Sequence, residues 1–277
     1  MRYIPLALVT TLAIAGTANA AEIELWRLDC GRIEIRNQDL FSDSFAYSGG
    51  ARMLTNSCYL IRHDSDYMLW DTGLPGAMAG QPPNTDPAAA FVPSLDRTLT
   101  SQLGNLGITP DMVTRVGISH GHFDHTGQAA DFAPATLLIG AGDLTAMQST
   151  PLPFAFDPAS LDPWLNGDAP VEAVTGDRDI FGDGSVIMMA MPGHTAGETA
   201  LLVRLAEAGP VLLSGDVVHF QEQLQNRAVP VINTDRADSL ASIARLIETA
   251  ENLGAQLVIQ HEPQDVGRLA AFPDSTR

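Results

Sequence analysis

Residues 119–127 carry four metal-binding side chains within six positions, and no other feature constrains the chain as strongly. The donors are His120, His122, Asp124 and His125. A helix would spread them over different faces, whereas a turn that leaves a strand can aim them all at one point. The apolar run Val113–Ile118 predicts that strand, and Thr126 with Gly127 indicates the start of a helix. Imidazoles and a carboxylate at the end of a strand predict a site for a divalent metal such as zinc.

The first twenty residues have the pattern of a secretory signal peptide. Met1 and Arg2 give a positive start, an apolar stretch runs from residue 3 to 16, and a small-x-small site ends at Ala20. That stretch is shorter than the about 20 residues that a membrane span needs. We therefore expect cleavage after Ala20, leaving residues 21–277 as a single domain that is periplasmic or secreted.

The charge of the chain limits its partners. The formal net charge is −18, which argues against nucleic acid and against anionic membrane surfaces. All fifteen basic residues are arginine, so lysine Schiff bases and lysine-dependent phosphate loops are excluded. A small molecule is therefore the expected partner, and the sequence leaves a monomer or a homodimer open.

The two cysteines, Cys30 and Cys58, are open to two interpretations. Export would permit a disulfide between them. Each could equally be a small buried hydrophobic residue in or beside a strand. Neither has the spacing of a thiolate zinc site.

The pattern of apolar segments predicts an α/β domain in which two mixed sheets pack together with helices outside. The expected strands are 23–28, 32–35, 56–62, 67–71, 113–118, 136–139, 185–191, 200–205, 211–213 and 256–259. The expected helices are 97–106, 142–148 and 237–253. Residues 75–96 and 149–170 are expected to be long loops, because both are rich in proline.

Three further donors each follow an apolar strand: His194, Asp216 and His261. Because sheet strands can deliver their ends to one edge, we expect these side chains to meet the donors of 119–127. Together they make five imidazoles and two carboxylates. That number is enough for two metal ions that share a bridging carboxylate.

The complete donor pattern resembles that of the metallo-β-lactamase superfamily. Its signature is His-x-His-x-Asp-His, followed by later His, Asp and His ligands. The resemblance implies a four-layer αββα sandwich and two divalent ions, with zinc expected and iron, cobalt or manganese as alternatives. By the same resemblance, the first ion would be held by His120, His122 and His194, and the second by Asp124, His125 and His261. Asp216 would bridge them.

Within the superfamily, the chain is most similar to the N-acyl homoserine lactonases, which open a lactone ring. The segments 28–31, 58–62 and 69–75 carry this similarity. The sequence departs from that family at one position. Many such lactonases have a tyrosine three residues after the bridging aspartate, and here that position is His219.

The resemblance implies hydrolysis by a water activated between two metals. Asp124 would pass a proton to the leaving oxygen, and His219 would support the developing oxyanion or reach a metal. Asp71 would either orient a ligand histidine or cap a turn. Four aromatic residues could line an acyl pocket or merely anchor loops: Phe154, Phe156, Trp164 and Phe220.

Several other functions use the same fold. A phosphotriesterase or arylesterase would need the same ligands and a different pocket. A β-lactamase is disfavoured because its binuclear subclass generally lacks the aspartate found here as Asp216. A glutathione thioesterase would normally be cytosolic. An iron protein without hydrolytic activity and a metal-binding scaffold are the remaining alternatives.

Overall fold

The computed structural model describes residues 21–277, so the predicted signal peptide lies outside the described residues. Its strands are β1 Ile23–Ile35, β2 Arg52–His63, β3 Asp66–Trp70, β4 Phe91–Ser94, β5 Val113–Ile118, β6 Thr136–Gly140, β7 Val171–Val174, β8 Arg178–Asp179, β9 Val186–Ala190, β10 Thr199–Leu205, β11 Gly209–Leu213 and β12 Gln256–Val258. Its α-helices are α1 Leu99–Asn105, α2 Phe123–Thr126, α3 Ala141–Ala146, α4 Asp162–Leu165, α5 Gln223–Asn226 and α6 Arg236–Leu253. Short 3-10 turns occupy Gln38–Phe41, Gly76–Met78, Pro110–Met112, Ala129–Phe132, Pro158–Leu161 and Pro263–Arg268.

The strands form two mixed sheets. The first has the order β4-β1-β2-β3-β5-β6-β7, antiparallel from β4 to β3 and parallel from β3 to β7. The second has the order β12-β11-β10-β9-β8, in which only β11 and β12 are parallel. Both sheets send the carboxyl ends of several strands to one edge, and the loops at that edge hold the predicted donors.

Apolar side chains fill the three spaces between the layers of sheets and helices. One cluster lies between the sheets, with Tyr59 and Trp70 from the first sheet against Leu201 and Leu213 from the second. Another covers the outer face of the first sheet beneath α1. A third packs α6 against the outer face of the second sheet. This is the expected four-layer αββα arrangement. No helix in the part of the chain from residue 21 onward has the length and apolarity to cross a membrane.

Three local predictions were wrong. The segments 23–28 and 32–35 are one strand, because β1 continues through a register shift between Asp29 and Arg32. The expected loop 75–96 contains β4, an edge strand that tolerates Pro93 because proline lacks only one ladder donor. The loop 149–170 contains α4, and residues 171–174 form the unpredicted strand β7.

The two cysteines form a disulfide. Cys30 of β1 and Cys58 of β2 are bonded, with their Cα atoms 5.7 Å apart. Both are fully buried in the cluster beneath the first sheet. The bond lies against the segment after β3, where a Cβ atom on Gly73 would come within 2.4 Å of Cys30 Cβ. Gly73 has a φ of +69°, so a glycine suits both the space and the backbone.

Candidate metal centre

The structure brings all seven predicted donors to one buried place. The loop after β5 supplies four of them, and the loops after β9, β11 and β12 supply one each. The donors are His120, His122, Asp124, His125, His194, Asp216 and His261. The local structure differs from the prediction, because Asp124 and His125 lie in the single-turn helix α2 and His122 precedes it as the N-cap residue. The short helix projects the pair into the site, and the extended His122 turns back toward His194.

The first donor group consists of His120, His122 and His194, and all three side chains are buried. His122 Nδ1 lies 3.1 Å from His194 Nε2. His120 Nε2 and His194 Nε2 lie 3.7 Å and 3.4 Å from the same oxygen, Asp216 Oδ2. Three nitrogens and one carboxylate oxygen therefore face a common point, which is the tetrahedral donor set that zinc favours.

The second donor group consists of Asp124, His125 and His261. His125 Nε2 lies 3.2 Å from His261 Nε2. Asp124 Oδ2 lies 3.7 Å and 3.6 Å from these two nitrogens. The other oxygen of Asp216, Oδ1, lies 3.4 Å from His125 Nε2 and 3.1 Å from His261 Nε2. Asp216 thus presents one oxygen to each group.

These atoms fit a metal centre better than a hydrogen-bonded core. His120 Nε2 and Asp216 Oδ1 are buried without a hydrogen-bond partner among residues 21–277. Burial lowers the pKa of His120 and His122 well below the usual value and that of His194 to about 3. Neutral imidazoles with free lone pairs are the form that binds metal. The chemistry of these donors therefore fits a metal-binding site.

The second donor group has the opposite electrostatic balance. Burial opposes protonation of His125, but Asp216, Asp124 and Asp71 outweigh it and hold the pKa of His125 well above the usual value. Burial likewise opposes ionisation of Asp216, yet the imidazoles around it, His261 and His219 foremost, hold its pKa well below the usual value. A cation placed here would take over the favourable interaction with these carboxylates.

Asp71 contacts a predicted ligand histidine, as the first interpretation expects, and its side chain forms no hydrogen bond within its own turn. Its Oδ2 lies 2.9 Å from His125 Nδ1 and accepts bonds from Ser119 Oγ and Gln260 Nε2, each at 2.8 Å. Its Oδ1 accepts from the Ser119 backbone N–H at 2.7 Å. A hydrogen bond to the outer nitrogen of a ligand histidine fixes the ring and its tautomer.

The other histidines have outer partners that the sequence did not indicate. His261 Nδ1 donates to the Thr55 carbonyl oxygen at 2.7 Å, and His194 Nδ1 donates to Asn233 Oδ1 at 2.7 Å. Glu198 Oε2 lies 3.1 Å from His120 Nδ1, while its Oε1 accepts from the Asp216 N–H at 3.0 Å. No spacing rule singles these residues out, because each lies far along the chain from the ring it contacts or is a common polar type.

His219 lies inside the donor cluster. Its Nε2 is 3.0 Å from Asp216 Oδ2, and its ring stacks on that of His261 at 5.6 Å. Its Nδ1 is buried and has no partner among the described residues. The ring therefore presents one nitrogen to the reaction site. His194, Asp216 and His219 also form a donor triplet of their own.

The donors open into a cavity. Its walls are apolar and are made by Ile33, Phe41, Leu54, Phe91, Phe123, Phe154, Ala155 and Ile232. Of the four aromatic residues predicted from the sequence, only Phe154 lines it. Trp164 is buried in the first-sheet core and donates to the Ala135 carbonyl oxygen, and Phe220 packs behind Phe41. Phe156 fills the space beside Gly121 and His122, so it is also not a wall residue.

Residues 52–259, most of the chain, match the model of the metallo-β-lactamase superfamily. The chain therefore belongs to that superfamily, and the predicted fold class is confirmed. It is a metal-dependent hydrolase of this class.

Its similarity within the superfamily is to lactonases. N-acyl homoserine lactonase AttM of Azorhizobium caulinodans is 31% identical over 223 residues, which cover 74% of this chain and 81% of that protein. A structure of a Bacillus thuringiensis AiiA variant with N-decanoyl-L-homoserine at its active site matches with a TM-score of 0.78 and 20% identity, over 93% of this chain and 100% of that one. AidC, described as a dizinc quorum-quenching lactonase, has a TM-score of 0.66 and 18% identity, over 93% of this chain and 90% of that one.

Proposed function

We propose that this protein hydrolyses the lactone ring of N-acyl homoserine lactones, and so quenches signals made of these molecules. The observation that carries the proposal is a seven-donor metal site at the floor of an apolar cavity. A polar lactone head fits the floor, and an acyl tail fits the walls. The sequence similarity to lactonases over three quarters of the chain supports this choice within the superfamily.

We assign one divalent ion, zinc in the first instance, to His120, His122 and His194. A second ion is assigned to Asp124, His125 and His261, with Asp216 between the two. When bound, such ions polarise a carbonyl group and lower the pKa of water toward neutrality. The chain then has to orient the lactone, exclude bulk water and move a proton.

Asp124 is placed to move that proton. It belongs to the cavity lining, and its Oδ2 lies between two ligand nitrogens at 3.6 and 3.7 Å. A carboxylate at the cavity surface can accept the proton that the attacking water loses and pass it to the alkoxide that leaves when the ring opens. His219 Nε2 faces the same floor, and we propose that it donates a hydrogen bond to the carbonyl oxygen as charge develops there.

The proposed location is the periplasm or the exterior of the cell. The composition of residues 1–20 supports export. The Cys30–Cys58 disulfide supports an oxidising compartment, because structural disulfides are rare in the cytosol of most organisms.

The direct test compares the rates at which several substrates are hydrolysed by one purified sample of residues 21–277. The metal content of that sample is measured. Short- and long-chain acyl homoserine lactones would be assayed beside paraoxon, phenyl acetate and a cephalosporin. We expect the lactones to be turned over with the highest kcat/KM. Equal or higher kcat/KM for paraoxon or phenyl acetate would instead assign the phosphotriesterase or arylesterase alternative.

The role of His219 is tested with two substitutions that differ by a single hydroxyl group. His219→Phe removes the donor, and kcat should fall about 100-fold, the size typical of a lost oxyanion donor. His219→Tyr supplies a hydroxyl donor and should keep most of the activity. Two metals should remain bound in both variants, and a wild-type kcat in His219→Phe would remove His219 from the reaction.

A further inference from the structure

We infer that Asp143 is a positioning residue that locks together the two loops carrying the first donor group. This inference rests on the metal centre proposed above and is independent of which substrate is hydrolysed. Asp143 lies in the first turn of α3, after β6, and its side chain is fully buried. Its side chain forms no hydrogen bond to any of the seven donors.

Its carboxylate receives three hydrogen bonds, and all come from the two ligand loops. Asp143 Oδ2 accepts from the Gly121 N–H at 2.8 Å and from Thr195 Oγ1 at 2.7 Å. Its Oδ1 accepts from the Gly197 N–H at 2.7 Å. Gly121 separates His120 from His122, and Thr195 follows His194. One side chain therefore sets the distance between the three imidazoles of the first donor group.

The hydrogen bonding suits the carboxylate form that Asp143 has at neutral pH. Each oxygen faces a backbone N–H group, so an asparagine at 143 would turn its own NH₂ group toward one of them. Asp143 forms no salt bridge within residues 21–277, and the neighbouring Glu198 is acidic. Burying a charge without a cation nearby is costly, and the hydrogen bonds offset that cost only while both loops stay in place.

The backbone around Asp143 is packed too closely for the two ligand loops to adjust separately. A Cβ atom on Gly140 would lie 2.0 Å from the Gly197 carbonyl oxygen, and one on Gly142 would lie 2.6 Å from the Ala196 carbonyl oxygen. The first turn of α3 thus packs directly on the loop that carries His194. Loss of a hydrogen bond here must shift the loop as a unit, because close-packed interiors transmit strain.

The second donor group has other supports. His125 is oriented by Asp71, and His261 by the Thr55 carbonyl oxygen. Asp143 contacts neither of them. Its substitution should therefore weaken one metal position selectively, which a general loss of stability would not do.

The experiment is a titration of the metal-free chain 21–277, prepared by chelation, with ¹¹³Cd, followed by ¹¹³Cd NMR. The two positions have different nitrogen and oxygen donors and should give separate resonances. In Asp143→Asn we expect cadmium affinity to fall about 10- to 100-fold at the first donor group, as for other outer partners of ligands. The resonance of the second donor group should be retained with unchanged affinity. Asp71→Asn should show the reverse pattern.

Two further variants keep the test decisive. Thr195→Val preserves side-chain shape but removes one donor, so it should give a smaller loss at the first donor group even if Asp143→Asn folds poorly. Leu246→Ala in α6 is the stability control, because it is buried on the far face of the second sheet. It should lower the melting temperature without selectivity between the resonances.

The outcomes separate this inference from the metal centre itself. Equal weakening of both resonances in Asp143→Asn, or unchanged affinity in Asp143→Asn and Thr195→Val, would overturn the positioning role while the centre stands. A wild-type chain with no bound cadmium would overturn both the centre and this role.

Discussion

The two donor groups face each other across Asp216, but the fold supports them differently. In the second donor group, His261 is bonded to the backbone of β2, and His125 to Asp71 at the end of β3. In the first donor group, His194 is bonded to Asn233 in a loop, and the loops themselves are joined through Asp143. The second donor group is thus supported mainly by the first sheet, and the first donor group mainly by packed loops.

The difference also concerns charge. The partner of His125 is a carboxylate, which raises the basicity of the ring as a metal ligand, whereas the partner of His194 is a neutral amide. Glu198 lies beside His120, but burial holds the pKa of Glu198 well above its usual value and so favours the neutral form. Asp124 adds a second carboxylate to the same half. We therefore expect the second donor group to hold its metal more tightly, although it contains two imidazoles and the first donor group contains three.

Asp216→Asn should have the largest effect, because Asp216 serves both halves. Loss of an outer partner costs about 10- to 100-fold in metal affinity or activity, and loss of the shared ligand should exceed that range. We expect kcat/KM to fall by more than about 100-fold, with metal content below two ions per chain. Metal analysis and lactone kinetics on one preparation measure this. Full occupancy with the wild-type rate would show that the halves do not share this carboxylate.

Asp71→Asn should act mainly on the second donor group, because Asp71 contacts His125 directly and reaches His120 only through Ser119. Asp71 has a φ of +59°, a conformation that asparagine also tolerates, so the substitution changes charge with little backbone cost. Metal affinity of the second donor group should fall about 10- to 100-fold. Competition with a chromophoric chelator gives the two stepwise constants. A loss confined to the first donor group would contradict the division described here.

The donors were predictable from the sequence, whereas their supports were not. Each donor loop follows an apolar strand, and histidine or aspartate at such a place is a recognisable signal, as for His261 after β12. Asp143 and Glu198 act through bonds to residues many positions away, so their importance exists only in the folded chain. Periodicity describes one element at a time and contains no information about which loops meet.

The cavity wall shows the same limit. An aromatic loop was visible in residues 149–170, but composition does not say which way a ring faces. Phe154 reaches the cavity, whereas Trp164, ten residues later, is buried in the core because its indole N–H finds the Ala135 carbonyl oxygen. Phe41 lines the cavity from the 3-10 turn Gln38–Phe41 and Phe91 from β4, and neither element was predicted.

Asp143, which joins the loops of the first donor group, should make the stability of the protein depend on pH. Burial raises the pKa of Asp143 to about 6, from 3.8 in the unfolded chain, while its three hydrogen bonds oppose that rise. Between these pH values the folded state binds more protons than the unfolded state, so stability falls as pH rises from about 4 to about 6. The cost is complete above pH 6 and absent below about 4.

Comparison with Asp143→Asn isolates this contribution. The measured quantity is the free energy of unfolding of the metal-free wild type minus that of the metal-free variant. This difference should be about 2 kcal/mol larger at pH 4.5 than at pH 7. Urea denaturation at both pH values measures it, and Leu246→Ala should show no such change relative to wild type. A difference that grows with pH would reverse the sign and show that Asp143 is stabilised as the charged form.

Asn233→Ser should have the smallest effect and is the finest test of the comparison. Its amide oxygen accepts the bond from His194 Nδ1 at 2.7 Å, and its Nδ2 donates to Ser239 Oγ at 2.9 Å. Because the partner is neutral and the loops remain joined through Asp143, metal affinity at the first donor group should fall by less than about 10-fold. Asn233→Asp places a carboxylate behind His194, as Asp71 stands behind His125, and should raise that affinity above the wild-type value. If Asn233→Asp weakens metal binding as much as Asn233→Ser does, the charge behind the ring does not distinguish the two halves, and their difference lies in the sheet and loop supports alone.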